Sequence, residues 1–174
     1  MPRLIAPKPL SKDLFALYGD VIETEGAEHR QINEGHTTRF HNLAQLNLID
    51  ANGQPSINIF RSSPRVPPLT LSLMERHPVS SQAFYPLSGE PYLIVVAPPG
   101  ELHPEKIEVF LARADQGINY HAGTWHHYSL ALNTTSDFLV VDRIADDENC
   151  DEVLLDEPDQ VQIDLSGITI RTTI

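Results

Sequence analysis

A carboxylate and an imidazole lie two residues apart at the end of the apolar segment LTLSLMERH, residues 69–77. In a β-strand, side chains two residues apart share a face, so Glu75 and His77 would continue the face formed by Leu69, Leu71 and Leu73. Directing two ionisable groups toward a protein interior is costly unless they pair or bind something. The segment therefore predicts a functional site, and the alternative is a strand that emerges into solvent at Glu75.

A second group of imidazoles lies in GINYHAGTWHHYSL, residues 117–130, which contains His121, His126 and His127. Histidine is a common metal ligand and a ready acid or base near neutral pH. Because neighbouring residues of a regular strand point to opposite faces, at most one of His126 and His127 can reach an internal site. The alternative is that these histidines only stabilise the mouth of a strand.

Short apolar segments separated by proline and glycine must position these side chains. A composition of 41% hydrophobic and 21% charged residues over 174 residues is typical of a single globular domain. A short helix is predicted from the N-cap Ser11 to a stop at Gly19, and the later segments, rich in Ile, Val, Leu, Phe and Thr, indicate an all-β barrel or sandwich. The predicted strands are 56–61, 69–77, 82–87, 92–97, 107–112, 124–132 and 137–142.

The C-terminal segment VQIDLSGITIRTTI, residues 161–174, also alternates between apolar and polar residues. An exposed terminal strand usually needs a sheet edge to pair with. The tail from about residue 160 is therefore expected to pair at an edge, to exchange with another subunit, or to be mobile.

Charge and hydropathy exclude several classes of partner. The formal charge of −12 would repel a phosphate backbone, so nucleic acid is excluded as a partner. No segment approaches the roughly 20 apolar residues of a membrane helix, and the start MPRLIAPKPL has no secretory apolar region, which predicts a cytoplasmic protein. The single cysteine, Cys150, lies in an acidic stretch that does not stabilise a thiolate, so it is not expected to be a nucleophile.

The two candidate segments resemble the two motifs of the cupin superfamily. In the stretch from Glu75 to Gly89, Glu75 stands for the first histidine of the first motif, His77 for the second and Gln82 for the glutamate, while the final glycine keeps its place. The second motif resembles the stretch from His121 to His126, with His121 in place of a proline. Both motifs occur in the expected order.

A wider similarity runs over most of the chain, to bacterial ureidoglycolate lyase, also called ureidoglycolate hydrolase. The matching segments are YGDVIET, INEG, RFHNLA, ERHP with QAFYPLSGE, GINYHAGTWHH, and SDFLVVDR with DENCD. The resemblance implies a cupin-type double-stranded β-helix, or jelly-roll barrel, spanning residues 1–174 as one domain with a short N-terminal helix. It also implies a homodimer that converts ureidoglycolate to glyoxylate and urea in allantoin and purine catabolism. The chain departs from the family in its longer tail and in HAGT, which varies.

Alignment with the metal-binding positions of cupins implies that Glu75, His77, Gln82 and His126 converge on one point. A divalent metal bound there could hold the substrate's carboxylate and hydroxyl together. A mixed nitrogen and oxygen ligand set selects no single ion, and Ni²⁺ and Mn²⁺ are both candidates. Of these four residues, Glu75, His77 and His126 are the predicted catalytic residues, and a metal-free enzyme could use either histidine as its base.

Four further residues are candidates for binding the substrate. An arginine fork is the natural complement of a carboxylate, which makes Arg61 and Arg76 candidates, although strand alternation directs Arg76 away from Glu75. Tyr120 and Trp125 are candidates for the pocket wall, and packing in the core is the alternative for both. Arg143 ends an apolar strand and is interpreted as a structural residue.

Two other classes of function are compatible with these residues. A metal-dependent cupin oxygenase or isomerase acting on another small acid could use the same histidines and carboxylate. A cupin that binds a small ligand without catalysis is the other alternative, because barrels of this kind host many functions and the fold alone decides none.

Overall fold

The structure is a computed structural model that describes residues 2–169, and the regular secondary structure of those residues is almost entirely β. The strands are β1 Arg3–Ile5, β2 Lys8–Pro9, β3 Gly19–Ile22, β4 His29–Ile32, β5 Thr37–Phe40, β6 Gln54–Ser62, β7 Leu69–Leu71, β8 Leu73–Arg76, β9 Gln82–Pro86, β10 Tyr92–Ala97, β11 Glu108–Ala112, β12 Gly117–Tyr120, β13 Trp125–His126, β14 Leu130–Ala131, β15 Ser136–Ile144, β16 Asp151–Leu154 and β17 Val161–Ile163. One α-helix, α1, spans Lys12–Phe15, and short 3₁₀ turns lie at Asn33–Gly35, Asp50–Asn52, Pro104–Lys106 and Glu157–Asp159.

The central strands pair as a long hairpin that rolls up into a barrel. Strand β10 pairs with β11, β9 pairs with β12, and β8 pairs with β13, all antiparallel and nested around the β10–β11 turn. Successive members alternate between two facing sheets, of order β16-β8-β13-β10-β11-β2 and β3-β12-β9-β15-β6. This is the topology of a double-stranded β-helix. The prediction of an all-β, cupin-type barrel with a short N-terminal helix is confirmed.

The two sheets enclose one apolar core, and a second core lies behind the first sheet. Phe84, Phe138 and Val140 of one sheet meet Ile94 and Val96 of the other inside the barrel. The opposite side chains of β10 pack with a small third sheet, of order β1-β17-β7. Since both faces of β10 are covered, all six of its residues are buried, which explains why YLIVVA reads as a continuous apolar run rather than an alternating one.

The N-terminal helix is shorter than predicted. Ser11 is its N-cap, and its Oγ accepts a hydrogen bond from the Leu14 amide at 3.3 Å. The helix then ends at Phe15, whose ring is fully buried in the barrel core. The prediction that Gly19 ends the helix is wrong, because Gly19 is instead the first residue of β3 and pairs with Tyr120 on β12.

The segment 69–77 is two strands rather than one. Strand β7 ends at Leu71 and pairs with β17, whereas β8 begins at Leu73 and pairs with β13 and β16. The break at Ser72 shifts the alternation, because Met74 rather than Leu73 joins Leu71 in the second core. The predicted continuous face from Leu69 to Glu75 is therefore wrong. The predicted strand 124–132 is likewise divided, into β13 and β14.

The described part of the C-terminal tail pairs within the same chain. Strand β17 is the centre of the three-stranded sheet, parallel to β1 and antiparallel to β7. Val161 and Ile163 on β17 are buried in the second core. The predicted alternation of residues 170–174 lies outside the described residues. Within residues 2–169, no helix is long and apolar enough to cross a membrane.

Gly19 allows a close approach of two strands, and this gives a prediction for stability. A Cβ atom at this position would lie 1.9 Å from the carbonyl oxygen of Asn119 on β12. We expect Gly19→Ala to lower the free energy of unfolding by about 3 kcal/mol, as overpacking against backbone does. Urea denaturation measures the change. Gly167→Ala is the control, since a Cβ there meets nothing within 4 Å, and an equal loss in both variants would contradict the explanation.

Candidate active site

Strand pairing places Glu75 beside His126 on the inner side of the barrel. His126 on β13 is in register with Glu75 on β8 and with Val96 on β10. Val96 belongs to the barrel core, and residues in register share a face, so Glu75 and His126 also face inward. His126 is 1% exposed, and the Glu75 side chain is about one-fifth exposed.

His77 completes a compact group of three ionisable side chains. One ligand atom each from Glu75, His77 and His126 lie within 4.8 Å of one another. The two imidazole rings have their centroids 5.3 Å apart, and Glu75 Oε1 lies 3.4 Å from His126 Nε2. The His126 side chain lowers the pKa of Glu75, against the opposing effect of burial, so this carboxylate is ionised at neutral pH.

Backbone carbonyls set the orientation of both imidazoles. His77 Nδ1 lies 2.6 Å from the carbonyl oxygen of Asn149, and His126 Nδ1 lies 3.0 Å from that of Thr124. A carbonyl can only accept, so each Nδ1 carries the proton and each Nε2 of a neutral ring carries a lone pair. Both Nε2 atoms are buried and make no hydrogen bond of good geometry in the described chain, although His126 Nε2 lies 3.4 Å from the Glu75 carboxylate. This is the arrangement of histidines that bind metal.

The facing sheet contributes two more side chains. Gln82 on β9 and Tyr120 on β12 are in register, and Tyr120 belongs to the barrel core. Its ring stacks on His126, with centroids 4.2 Å apart and planes 11° apart. Burial raises the pKa of the Tyr120 phenol well above its usual value, which keeps it neutral. The Oε1 atom of Gln82 is also buried with no partner among the described residues.

These residues fit a divalent cation. Two imidazole lone pairs, one ionised carboxylate and one amide oxygen form a mixed nitrogen and oxygen set suited to first-row ions. Three of these polar atoms, His77 Nε2, His126 Nε2 and Gln82 Oε1, are buried without a hydrogen bond, which lowers the stability of the fold. A cation that accepts electron pairs from all three would remove that cost.

A cavity of about 240 Å³ opens beside the group. Its lining includes His77, Ser80, Gln82, Asp142, Asn149 and Cys150. Arg143 also lines it, but its guanidinium is occupied by Asp147 and by the carbonyls of Asp50 and Ala51. A larger cavity, about 450 Å³, lies near His41 and His121. Its lining includes none of the candidate ligands Glu75, His77, Gln82 and His126. The smaller cavity therefore adjoins the candidate chemistry through His77 and Gln82, whereas Glu75 and His126 are not among its lining residues.

Three predicted substrate-binding residues lie away from this group. Arg76 is on the opposite face of β8 from Glu75, where its guanidinium lies 4.5 Å from the centre of the Trp125 ring and pairs with Asp151. Trp125 belongs to the second core. Arg61 is an exposed residue of β6 that pairs with Asp137. The geometry gives these three no contact with the cavity, whereas Tyr120 touches His126 directly.

The remaining histidines of the second segment also lie outside the group. His127 is buried, its Nδ1 donates to the Tyr128 carbonyl, and desolvation lowers its pKa to about 4, so it stays neutral. The His121 Nε2 atom lies 3.1 Å from Asp20 beside the larger cavity. His126 alone of the three joins Glu75 and His77.

Sequence reasoning missed Asn149 and the strand β16 that follows it. The Asn149 side chain accepts from the Val79 amide and donates to Ser80 Oγ, each at 2.8 Å, while its carbonyl holds His77. Asn149 therefore joins two loops at the rim of the cavity. The one available signal was the segment DENCD, whose acidic composition gave no indication of a strand.

Fold and site together define a cupin with a mixed imidazole and carboxylate centre. A family model described as ureidoglycolate lyase matches residues 2–163. The chain belongs to the ureidoglycolate lyase family. Proteins named ureidoglycolate lyase from Burkholderia mallei (strain NCTC 10229) and Pseudomonas syringae pv. tomato (strain ATCC BAA-871 / DC3000) are 47% and 45% identical, over 89% and 93% of this chain and 91% and 96% of theirs.

A relative of the same name from Azotobacter vinelandii (strain DJ / ATCC BAA-1303) is 46% identical, over 91% of this chain and 96% of its own. Among solved structures, a dTDP sugar isomerase from Desulfovibrio desulfuricans G20 aligns with a TM-score of 0.44 and 14% identity, over 78% of this chain and 88% of that one. The sequence relatives, which match at nearly full length, establish the family.

The orientation of the two imidazoles leads to a prediction on cation binding. We expect the metal-free protein to bind one Mn²⁺ or Ni²⁺ per chain, and His77→Ala and His126→Ala each to weaken that binding by more than about 100-fold, since each removes a direct ligand. Calorimetric titration measures the affinity. His36→Ala removes an exposed imidazole and should change nothing. Equal affinity in all four proteins would show that the ion binds elsewhere.

Proposed function

We propose that this protein is a ureidoglycolate lyase, which splits ureidoglycolate into glyoxylate and urea. Membership of the ureidoglycolate lyase family supports the proposal, and the observation that carries it is the group of Glu75, His77 and His126, of which His77 lines a cavity. The cavity of about 240 Å³ is large enough for a two-carbon acid that carries a urea group.

The reaction needs one proton to move between two atoms on the same carbon. In ureidoglycolate, this carbon carries the carboxylate, the hydroxyl and the ureido nitrogen. Removal of the hydroxyl proton lets the oxygen form a C=O bond while the C–N bond breaks and its electron pair leaves with nitrogen. Protonation of that nitrogen completes urea. No water is consumed, so the chemistry is elimination rather than hydrolysis.

Glu75 is the residue best placed to carry this proton. Its carboxylate is ionised, and its second oxygen makes no hydrogen bond among the described residues, so it can accept the hydroxyl proton and return it to the leaving nitrogen. His77 and His126 would hold the cation that binds the reacting end of the substrate beside Glu75. Tyr120 fixes the His126 ring by stacking on it.

Glu75, His77, Gln82 and His126 would hold a divalent ion, with Ni²⁺ and Mn²⁺ as the candidates. Such an ion, when bound, would lower the pKa of the substrate hydroxyl and supply positive charge for its carboxylate. The ligand set selects neither ion over the other. Allantoin and purine catabolism as the pathway come from the family resemblance and form part of the same proposal. The cytoplasm, which the sequence pattern predicts as the location, is also part of it.

Product analysis and substitution of Glu75 test the proposed reaction. We expect the purified protein to release glyoxylate and urea in equal amounts without ammonia, and Glu75→Gln to lower kcat by about 100- to 10,000-fold, because it removes the proton carrier. Glu101→Gln, which changes an exposed carboxylate, is the control. Ammonia among the products would indicate a hydrolase, oxygen uptake an oxygenase, and full activity of Glu75→Gln would exclude the proposed role.

A homodimer is also part of the proposal, and an apolar sheet face supports it. On the outer side of β6 and β15, Ile57 and Ile59 are 74% and 54% exposed and lie in register with Val141 and Leu139. A chain of formal charge −12 repels a second copy over most of its surface. The four residues Ile57, Ile59, Leu139 and Val141 are uncharged, so two copies of the chain can approach each other at this face without that repulsion. A second copy is therefore the occupant that we assign to it.

Charged substitutions on that face test the dimer. We expect the wild-type protein to be a dimer by light scattering coupled to gel filtration, and Ile57→Asp with Ile59→Asp to give monomers, because the contact would bury unpaired carboxylates. Val66→Asp, at an 86% exposed loop residue, is the control for added charge. A monomeric wild type, or a dimer that survives the double substitution, would contradict this assignment.

A further inference from the structure

One carboxylate in the candidate cavity has no role in the proposed proton transfer. Asp142 lies near the end of β15, where Phe138 and Val140 alternate into the barrel core. Asp142 continues that alternation and therefore faces the same side. It is partly buried and lines the 240 Å³ cavity together with His77 and Gln82.

Strand register places Asp142 next to Gln82. Strand β15 pairs with β9 through Val141 and Ala83, and one further step of the same antiparallel register brings Asp142 opposite Gln82. Gln82 is in turn in register with Tyr120, which stacks on His126. On the inner face of this sheet, Gln82 therefore lies between Tyr120, which contacts His126, and Asp142.

The Asp142 carboxylate is oriented but not neutralised. Asn58 Nδ2 donates to its Oδ1 atom at 2.9 Å, and this is its one hydrogen bond within the described residues. The neighbouring guanidinium of Arg143 cannot pair with it, because Asp147 and two carbonyls use its donors. A partly buried carboxylate with no ion-pair partner among the described side chains is costly unless a ligand supplies hydrogen-bond donors.

The two ends of ureidoglycolate differ in what they offer to such a carboxylate. The ureido end is neutral and carries N–H donors on two nitrogens bonded to the same carbonyl carbon, a spacing that matches the two acceptor oxygens of a carboxylate. The other end is itself a carboxylate, which Asp142 repels. His77 and His126 favour the acid end instead, because their Nε2 lone pairs suit a cation that would bind a carboxylate.

We propose that Asp142 binds the ureido N–H groups of the substrate and thereby fixes its orientation, with the carboxylate end toward His77 and His126. This inference rests on the proposed function and deepens it, because it identifies the residue that selects a urea-bearing acid over other small hydroxy acids. Asn58 is the positioning residue that aims the carboxylate.

Two probes, each lacking one part of the substrate, test the assignment. Ureidoacetate keeps the ureido group but lacks the hydroxyl, and glycolate keeps the hydroxyl and carboxylate but lacks the ureido group. We expect Asp142→Asn to weaken ureidoacetate binding by about 10- to 100-fold, because a charge-assisted pair is replaced by an amide whose NH₂ opposes the ureido donors. Glycolate binding should be unchanged or tighter, since a repelling charge is removed. Calorimetry measures both.

Asp146→Asn is the matched control, because it removes the same charge from an exposed residue four positions further along the chain that does not line this cavity. Asn58→Ala keeps the Asp142 charge and should give a smaller loss that is again confined to ureidoacetate. It also tests the assignment if Asp142→Asn does not fold. An equal loss for both probes, or no loss for ureidoacetate, would overturn the inference.

The proposed function can fail separately from this inference. If the wild-type protein binds ureidoacetate through Asp142 but does not release urea from ureidoglycolate, the lyase proposal fails and the ureido site stands. If the wild type is an active lyase and Asp142→Asn leaves the KM for ureidoglycolate unchanged, the ureido site fails and the lyase stands.

Discussion

The site depends on two hydrogen bonds from imidazole Nδ1 atoms to backbone carbonyls. Asn149 and Thr124 provide those carbonyls, and together they turn the Nε2 lone pairs of His77 and His126 toward one point. Without them, each ring could rotate or change tautomer, and no fixed set of donors would exist. Each buried, unpaired Nε2 costs about 1–3 kcal/mol, so the barrel must supply enough stability to hold both.

The sheet that contains β10 is covered on both faces, and this burial provides the stability that offsets the cost of the two buried Nε2 atoms. Strand β10 lies beside β13, and its side chains are buried alternately in the barrel core and in the second core. His126 is therefore attached to the most enclosed part of the molecule, whereas His77 and Asn149 lie at its rim. Packing holds His126, with Tyr120 stacked on its ring, and hydrogen bonds between loops hold His77.

Much of the fold could be predicted because its strands are apolar and separated by proline or glycine. Strand β10 has the predicted bounds, and β9 and β15 differ from prediction by at most two residues at an end. Strand β16 was missed because it follows an acidic stretch and is mostly exposed. Ser72 gave no local sign that it would divide one predicted strand between two sheets, since that division depends on pairing with β17 and β16, which lie more than 75 residues later.

The candidate site was predictable to a similar degree. Spacing by two placed Glu75 and His77 together, and alternation directed Arg76 away, but neither could choose between His126 and His127. The resemblance to the second cupin motif selected His126, and register with Val96, which is visible only once the strands are paired, places His126 on the inner face. Gln82 came from the resemblance to the cupin motif, and its unpaired oxygen agrees with an inward position.

The arginines predicted to bind the substrate carboxylate are paired with aspartates instead. His77 and His126, which could hold a cation, are therefore better suited to accommodate an anionic substrate. Three arginines singled out in the sequence each form an ion pair: Arg61 with Asp137, Arg76 with Asp151, and Arg143 with Asp147. Arg143 is the arginine among these three that lines the cavity, and all of its charge-assisted bonds are made within the protein. Since Glu75 and Asp142 add negative charge to the same region, a substrate carboxylate needs a positive group from another source. Two oriented Nε2 lone pairs can hold a cation, and that cation would supply the positive charge that these three arginines, already paired with aspartates, do not.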